Sequence, residues 1–203
     1  MRALFSSLAV LAVLAVGSGS LWAGTDGLQA FTAEAAWRAE VAAHPQSLPS
    51  IWLQDQDGRR FRLTDYRGRH VLVEFFYTRC LTICSFLGTG FARLDRRLLQ
   101  PGAPRDVALV SISLDPRDGV ADLSAYAERE RADGRTWRLA RATSPDDLAC
   151  LLRAFHVVRV PLPGGGFQHN AAIEVLDARG RLAAIADATA LSLLLDRING
   201  ARK

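Results

Sequence analysis

The sequence predicts an α/β fold built on a mixed sheet with parallel central strands and flanking helices. Val71–Tyr77 (VLVEFFY) and Val107–Asp115 (VALVSISLD) are nearly continuous apolar runs, the pattern of strands covered on both faces. Each run precedes a segment of helical character. FLGTGFARLDRRLL places apolar residues at Phe86, Leu87, Phe91, Leu94 and Leu98, and GVADLSAYAERERA follows the second run. Near the end, AAIEVLD-ARG-RLAAIAD reads as an antiparallel hairpin, which makes the sheet mixed.

The chain of 203 residues accommodates one ordinary domain plus a leader. Residues 1–24 read as a signal peptide or an N-terminal membrane anchor. Arg2 is followed by an uncharged stretch from Ala3 to Thr25, with LFSSLAVLAVLAV as its most apolar part and GSGSLWAG after it. Either reading carries the folded part across a membrane. The expectation is therefore an extracytoplasmic protein, in a bacterial periplasm, that meets the membrane only through residues 3–24. Residues 25–47 read as a tether containing one short amphipathic helix, FTAEAAWRAEVAAH, ended by His44-Pro45.

Residues 48–203 form the predicted domain. IWLQDQDGRRFRL is a hairpin around Asp57-Gly58, and Arg67-Gly68 marks a turn before the first buried run. TWRLAR is a short strand. SPDDLACLLRAF is a helix with Ser144 as its cap, Pro145 at its first position and acids in its first turn. VVRVPLPGGGFQHN, with its prolines and three glycines, reads as a long irregular loop or small insertion, and ALSLLLDRI as a final helix.

Composition narrows the function. Apolar residues make up 49% and charged residues 23%, with no repeat and no second long apolar run, which excludes a polytopic membrane protein. The net charge is +4, nearly all of it from arginine. Arg59, Arg60, Arg62, Arg67 and Arg69 cluster, but Asp55, Asp57 and Asp65 lie among them and no aromatic platform accompanies them. They read as a solvated surface, and no nucleic-acid partner is expected.

YTRCLTICSF holds two of the three cysteines, Cys80 and Cys84, on the turn from a buried strand into a helix. A thiol at the start of a helix is acidified by unpaired N–H groups and the helix dipole, and a second one four residues on would share its face. Such a pair can close a redox disulfide, hold one soft ion, or be merely structural. A static bridge over so short a loop removes little chain entropy. A metal needs further ligands, and the candidates are Cys150, His44, His70, His156 and His169. His44 in the tether and His70 at a strand entry read as surface residues, His156 as a helix-terminal imidazole, and Cys150 as a lone thiol off the stripe of Leu148, Leu151, Leu152 and Phe155. His169 follows the GGGFQ stretch and precedes a strand, so it reads equally as a ligand delivered to the strand ends and as a plain loop histidine. Two thiolates with one imidazole suit copper.

The run VLVEFFYTRCLTIC, then VSISLDPRD, then GGGFQHNAAIEVLDARGRL resembles the SCO/SenC family of thioredoxin-like copper chaperones, over about Leu48 to Asp187. The resemblance implies a thioredoxin-like mixed sheet with an added N-terminal β-hairpin and a loop carrying the histidine. It implies that Cys80, Cys84 and His169 bind copper, as Cu(I), Cu(II) or both. The copper would be destined for the CuA site of a cytochrome c oxidase subunit or another cuproprotein. Asp115 matches a family acid that lies near the site and is not ordinarily a ligand. Leu81 and Ser85 replace the two prolines of the family's C-P-x-x-C-P, which should loosen the turn, and Asn170 replaces the usual serine or threonine.

Three functions follow from these residues. The first is a copper metallochaperone working by ligand exchange. The second is an extracytoplasmic thiol–disulfide oxidoreductase that uses Cys80 and Cys84 on partner cysteines, with a thiol reductant as a further partner. A peroxide-reducing or redox-sensing protein is the third, supported only by the same two cysteines.

Overall fold

A computed structural model describes residues 2–25, 32–80, 83–163, 165–170 and 172–187, with the backbone alone at 2–6, 8–9 and 83–87. The chain divides into two compact units, Met1–His44 and Pro45–Lys203. The first contains α1 (Arg2–Gly24) and α2 (Ala33–Ala43). The described apolar side chains of α1, from Val10 to Trp22, are exposed, and among the described residues no helix is long and apolar enough to cross a membrane. α2 starts where the Thr32 hydroxyl accepts the N–H of Ala35 at 3.1 Å, and Arg38 pairs with Glu34 one turn earlier at 2.6 Å. His44 caps its end and Pro45 stops it, as expected.

The second unit opens with β1 (Gln46–Ser47), at the end of the expected tether, then β2 (Leu53–Asp55) and β3 (Arg60–Phe61). It continues with β4 (His70–Phe76), α3 (Ile83–Leu98), β5 (Val107–Ser113) and α4 (Val120–Glu130). After these come β6 (Trp137–Ala142), α5 (Pro145–Ala154), β7 (Arg159–Pro161), β8 (Phe167–His169), β9 (Ala172–Leu176) and β10 (Arg181–Asp187). The main sheet runs β1-β10-β9-β4-β5-β6-β2-β3, with β4, β5 and β6 parallel and the rest antiparallel. The sheet is therefore mixed, with parallel strands at its centre and the β2–β3 hairpin added beside β6.

The apolar runs occupy the middle because only there are both faces of a strand covered. Every residue of β5 is buried, and so is every residue of β4 after His70. Alternation then sorts the helices onto two faces. Phe75 meets Phe155, just beyond α5, at 5.3 Å between ring centroids, whereas Phe76 meets Tyr126 of α4 at 4.7 Å. Phe91 of α3 packs on Trp137 of β6 at 6.1 Å. Thus α5 lies on one face, with α3 and α4 on the other.

Local signals explain most boundaries. At the Asp57-Gly58 turn, Gly58 adopts φ 78° and donates to the Asp55 carbonyl at 3.0 Å. Ser144 caps α5 by accepting the N–H of Asp147 at 3.1 Å, with Pro145 next, as expected. TWRLAR falls on β6 as expected, a six-residue strand that pairs in parallel with β5 and buries Trp137 and Leu139 fully. VVRVPLPGGGFQHN is not irregular. It folds into a separate two-stranded ribbon, β7 against β8, since Gly165 and Gly166 take positive φ and let the chain reverse. The expected final helix lies outside the described residues.

Glu74 stands in the centre of β4 at 2% exposure. Its Oε1 accepts the Ser111 hydroxyl at 2.5 Å, and that hydroxyl in turn accepts the Trp137 indole N–H at 2.8 Å. Burial pushes Glu74 up to about 8 against the pull of the Ser111 hydrogen bond, and the charge of Glu130 adds to the rise. Asp95 on α3 rises to about 6 through burial and the charge of Asp133. Both acids keep their protons in the fold at pH values where the unfolded chain has released them, so stability should fall as pH climbs from the ordinary carboxyl range toward 8. For Glu74 the full fall is on the order of 5 kcal/mol. Urea unfolding should show Glu74→Gln close to the parent at pH near 5 and clearly more stable near pH 8.

Candidate metal and redox site

β4 ends at Phe76 and α3 begins at Ile83, so Cys80 lies on the connecting turn and Cys84 is the second residue of the helix. This corrects the expectation of two thiols on one helical face, because Cys80 precedes the helix. The reason is visible in the turn. The Cys80 N–H donates to the Tyr77 carbonyl at 3.1 Å, closing residues 77–80 on themselves. Asp118 accepts the Thr78 N–H at 2.9 Å and the Thr78 hydroxyl at 2.7 Å. Arg79 reaches Asp115 at 2.6 Å. Carboxylates of the β5–α4 loop thus hold the turn out of helical conformation. Cys80 is buried, with 6% exposure.

His169 ends β8, and the sheet brings it to the same end of the molecule. β9 runs antiparallel to β4 with Ile173 opposite Glu74, so the residues just before β9 lie beyond the carboxyl end of β4, where the Cys80 turn sits. The ribbon is fastened there. The Tyr77 hydroxyl donates to the Phe167 carbonyl at 3.3 Å, and the two rings meet edge to face at 5.7 Å. Arg159, opposite His169 in the ribbon, donates to the Leu114 carbonyl and covers the Phe167 ring at 4.9 Å. Gly166, at φ 84°, is required twice over, since a Cβ would stand 2.9 Å from the Tyr77 hydroxyl oxygen. Asn170 closes the base, its Oδ1 accepting the Val158 N–H at 2.8 Å and its Nδ2 donating to the His156 carbonyl at 3.2 Å.

The electrostatics favour a neutral imidazole beside a fixed ion-pair network. Burial lowers the pKa of His169, partly offset by its hydrogen bond with Asn170. Its Nδ1 lies 3.1 Å from the Asn170 carbonyl, and a proton on Nδ1 leaves the Nε2 lone pair for a metal. Burial would raise Asp115, but hydrogen bonds from Arg117 and Arg79 hold it at about 2. It is therefore an anion committed to two arginines, in keeping with a non-ligand role.

The other candidates lie elsewhere or are otherwise engaged. Cys150 is half-buried on α5 beside the buried Leu151, and His44 pairs with Glu40 at 3.2 Å. His70 is half-buried at the opposite end of β4 from the cysteine turn, and His156 is exposed at φ 54° just past α5. Among the described residues no three His, Cys, Asp or Glu side chains cluster to hold a metal ion, and of Cys84 only the backbone is described. Sequence reading missed Tyr77, Asp118, Arg159 and Phe167. Only the DPRD stretch, with a second acid three residues after Asp115, hinted at any of them.

A mixed α/β domain with a cysteine turn after its central strand and a histidine ribbon at the same end defines a thioredoxin-like protein. A family model described as SCO1/SenC matches residues 43–194, and the chain belongs to that family. Solved structures agree in fold. A SCO1/SenC family lipoprotein from Bacillus anthracis is 21% identical with a TM-score of 0.71, covering 79% of this chain and 97% of its own. Arabidopsis thaliana ScoI, solved with copper bound, is 20% identical with a TM-score of 0.63, covering 75% and 98%. BsSco, described with a disulfide switch and as a member of the Sco family of cytochrome c oxidase assembly proteins, is 21% identical with a TM-score of 0.66, covering 78% and 94%. Comparison by sequence with curated proteins returns no match.

Asp118 is fully buried, and the Ser113 hydroxyl is its third partner, at 2.6 Å. Asp118→Ala strands these donors and should cost about 2 to 4 kcal/mol in urea unfolding. Amide exchange at Thr78 and Cys80 should accelerate more than in the middle of β5.

Proposed function

We propose that the chain is a copper metallochaperone that holds copper with Cys80, Cys84 and His169 and delivers it to the CuA site of a cytochrome c oxidase or to another cuproprotein. The observation that carries this reading is the ribbon bringing His169, with a neutral imidazole, to the strand end that carries the Cys80 turn. The donor set is soft, as Cu(I) prefers, and imidazole also suits Cu(II). Copper is cargo, so the chain must both hold it and yield it to incoming thiols. The pinned turn and the ribbon supply ligands from two separate segments, which a partner can replace one at a time. The copper-bound ScoI of Arabidopsis thaliana and the oxidase-assembly role attached to BsSco support the assignment. Residues 1–24 act as leader or anchor in this reading, and residues 48–203 work outside the cytoplasm.

A second reading, thiol–disulfide exchange on the same cysteines, is favoured by the position of Cys80 just before the start of α3 and by the disulfide switch of BsSco. The Cys80 thiolate would attack a partner disulfide, releasing one partner thiolate and forming a mixed disulfide. Cys84 would then displace the second partner thiol. Two electrons pass to the partner, the Cys80–Cys84 pair is left oxidised, and a thiol reductant must restore it.

Copper stoichiometry on the reduced chain separates the two. The parent should hold one equivalent, Cys80→Ala and Cys84→Ala should lose it, and His169→Ala should bind at least about tenfold more weakly. Copper retained unchanged by all three variants overturns the chaperone. No copper in the parent, with the pair still cycling between dithiol and disulfide, leaves the oxidoreductase.

A further inference from the structure

The β2–β3 hairpin carries a basic face with an indole set into it. Leu53 pairs with Phe61 and Ala142, and Gln54 pairs with Arg60 and Arg141. Successive residues of a strand point to opposite sides of the sheet. Leu53, Phe61 and Ala142 are buried on one side, so Gln54, Arg60 and Arg141 form a row on the other. Trp52 and Arg62 continue that side by parity, and the Arg62 guanidinium stands 4.5 Å from the Trp52 ring centroid. Nearer the middle of the sheet this side is covered, since Trp137 and Leu139 of β6 have no exposure, whereas Trp52 is 44% exposed and Arg60 is exposed. Sequence reading gives this arginine cluster no aromatic platform, and folding supplies one by laying Trp52 against Arg62.

Charge and chemistry identify the occupant. Among the described residues no acid pairs with Arg60 or Arg141, and Arg141 donates to the Gln54 side-chain carbonyl at 3.3 Å. Arg62 pairs with Asp65 at 3.5 Å. Asp147, at the border of the row, accepts the Thr143 and Ser144 hydroxyls in the first turn of α5, where the helix dipole offsets its charge. The face therefore presents guanidinium groups without an acidic partner, which suit phosphate, next to an indole. An indole beside cations fits the headgroup level of an anionic bilayer. A second copy docked face to face would set arginine against arginine. The tether limits where the face can go. With residues 1–24 as a membrane anchor, only residues 25–51 separate the bilayer from Trp52, and eleven of these are wound into α2. The bilayer is thus held within reach at high effective concentration.

We propose that this hairpin face docks on anionic phospholipid and so sets the orientation of residues 45–203 on the membrane to which residues 1–24 anchor them. The inference goes beyond copper transfer and rests on the anchor reading of residues 1–24. Trp52 enters the headgroup layer, and Arg60, Arg62 and Arg141 bind lipid phosphates. Arg141 lies near the carboxyl end of β6, which runs parallel to β4, and β4 gives way to the Cys80 turn at that same end. A docked domain therefore holds that end of the sheet near the bilayer surface instead of turning freely on its tether.

The test uses the full chain with vesicles of phosphatidylcholine alone or mixed with phosphatidylglycerol. A Trp22→Phe, Trp37→Phe background leaves Trp52 and the fully buried Trp137 as emitters. Flotation of the vesicles reports anchoring, and quenching of Trp52 by lipids brominated near the headgroup reports docking. The chain should float on both lipids. Quenching should appear only with phosphatidylglycerol, vanish when Trp52→Phe is added, and fade as salt rises from about 50 to about 300 mM. Arg60→Ser should lower the docking constant about fivefold, and Arg60→Ser with Arg141→Ser at least about tenfold, with urea unfolding unchanged. Quenching that is absent, equal on the two lipids, indifferent to salt or unchanged in the double variant overturns the docking face. So does a Trp52 response to soluble polyglutamate in place of vesicles, which would make the face a protein contact. A chain that fails to float on phosphatidylcholine lacks the anchor. It should then float on phosphatidylglycerol at about 50 mM salt through this face; success upholds the face without the anchor, and failure overturns the proposal.

Discussion

A carboxylate with no exposure is tolerable only when donors surround it, and Asp118 has a backbone N–H and two hydroxyls within 2.9 Å. Two of the three come from Thr78, on the turn of Cys80, and the third from Ser113, the last residue of β5. The bonds therefore tie the exits of two adjacent parallel strands together. Arg79 completes the clamp, reaching Asp115 at 2.6 Å and Asp118 at 3.2 Å. Without Asp118, the turn that carries Cys80 would lose the bonds that fasten Thr78 to the end of β5.

From that clamp the order spreads outward through aromatic and arginine contacts rather than through the main sheet. Tyr77 belongs to the turn and Phe167 to the ribbon, and each fixes the other by a ring contact and a hydrogen bond. Arg159 then attaches the ribbon to Leu114, in the loop that also carries Asp115 and Asp118. Turn, loop and ribbon form a closed circuit of contacts. That is why two segments ninety residues apart in sequence, at Tyr77 and Phe167, can present groups to one place with little freedom.

The central strands, the hairpin at Asp57-Gly58 and the capped helix at Ser144 were legible because each has a local signature: an apolar run, a turn dipeptide, a cap followed by proline. The ribbon was not, because its prolines and glycines hide the alternation of Val158, Val160 and Leu162, and because its fixing contact, Tyr77 with Phe167, is non-local. The candidate ligands Cys80, Cys84 and His169 could be named from residue chemistry and family likeness. The place of Cys80 before the helix could not, since it is set by Asp115 and Asp118 from another loop. Glu74 illustrates the converse. In an otherwise apolar run it looks like a blemish, yet it packs as a neutral acid hydrogen-bonded to Ser111.

Asn170 carries one more consequence. Its side-chain amide does on both sides what a peptide unit would do, accepting from Val158 and donating to His156, and so adds a rung below the last backbone pair of the ribbon. His169 is therefore not the fraying end of a two-residue-wide ladder but sits one rung inside it. A serine or threonine at this position has too short a side chain, with one oxygen, to make that rung. In this chain the stiffness of the imidazole's backbone is set by the residue after it.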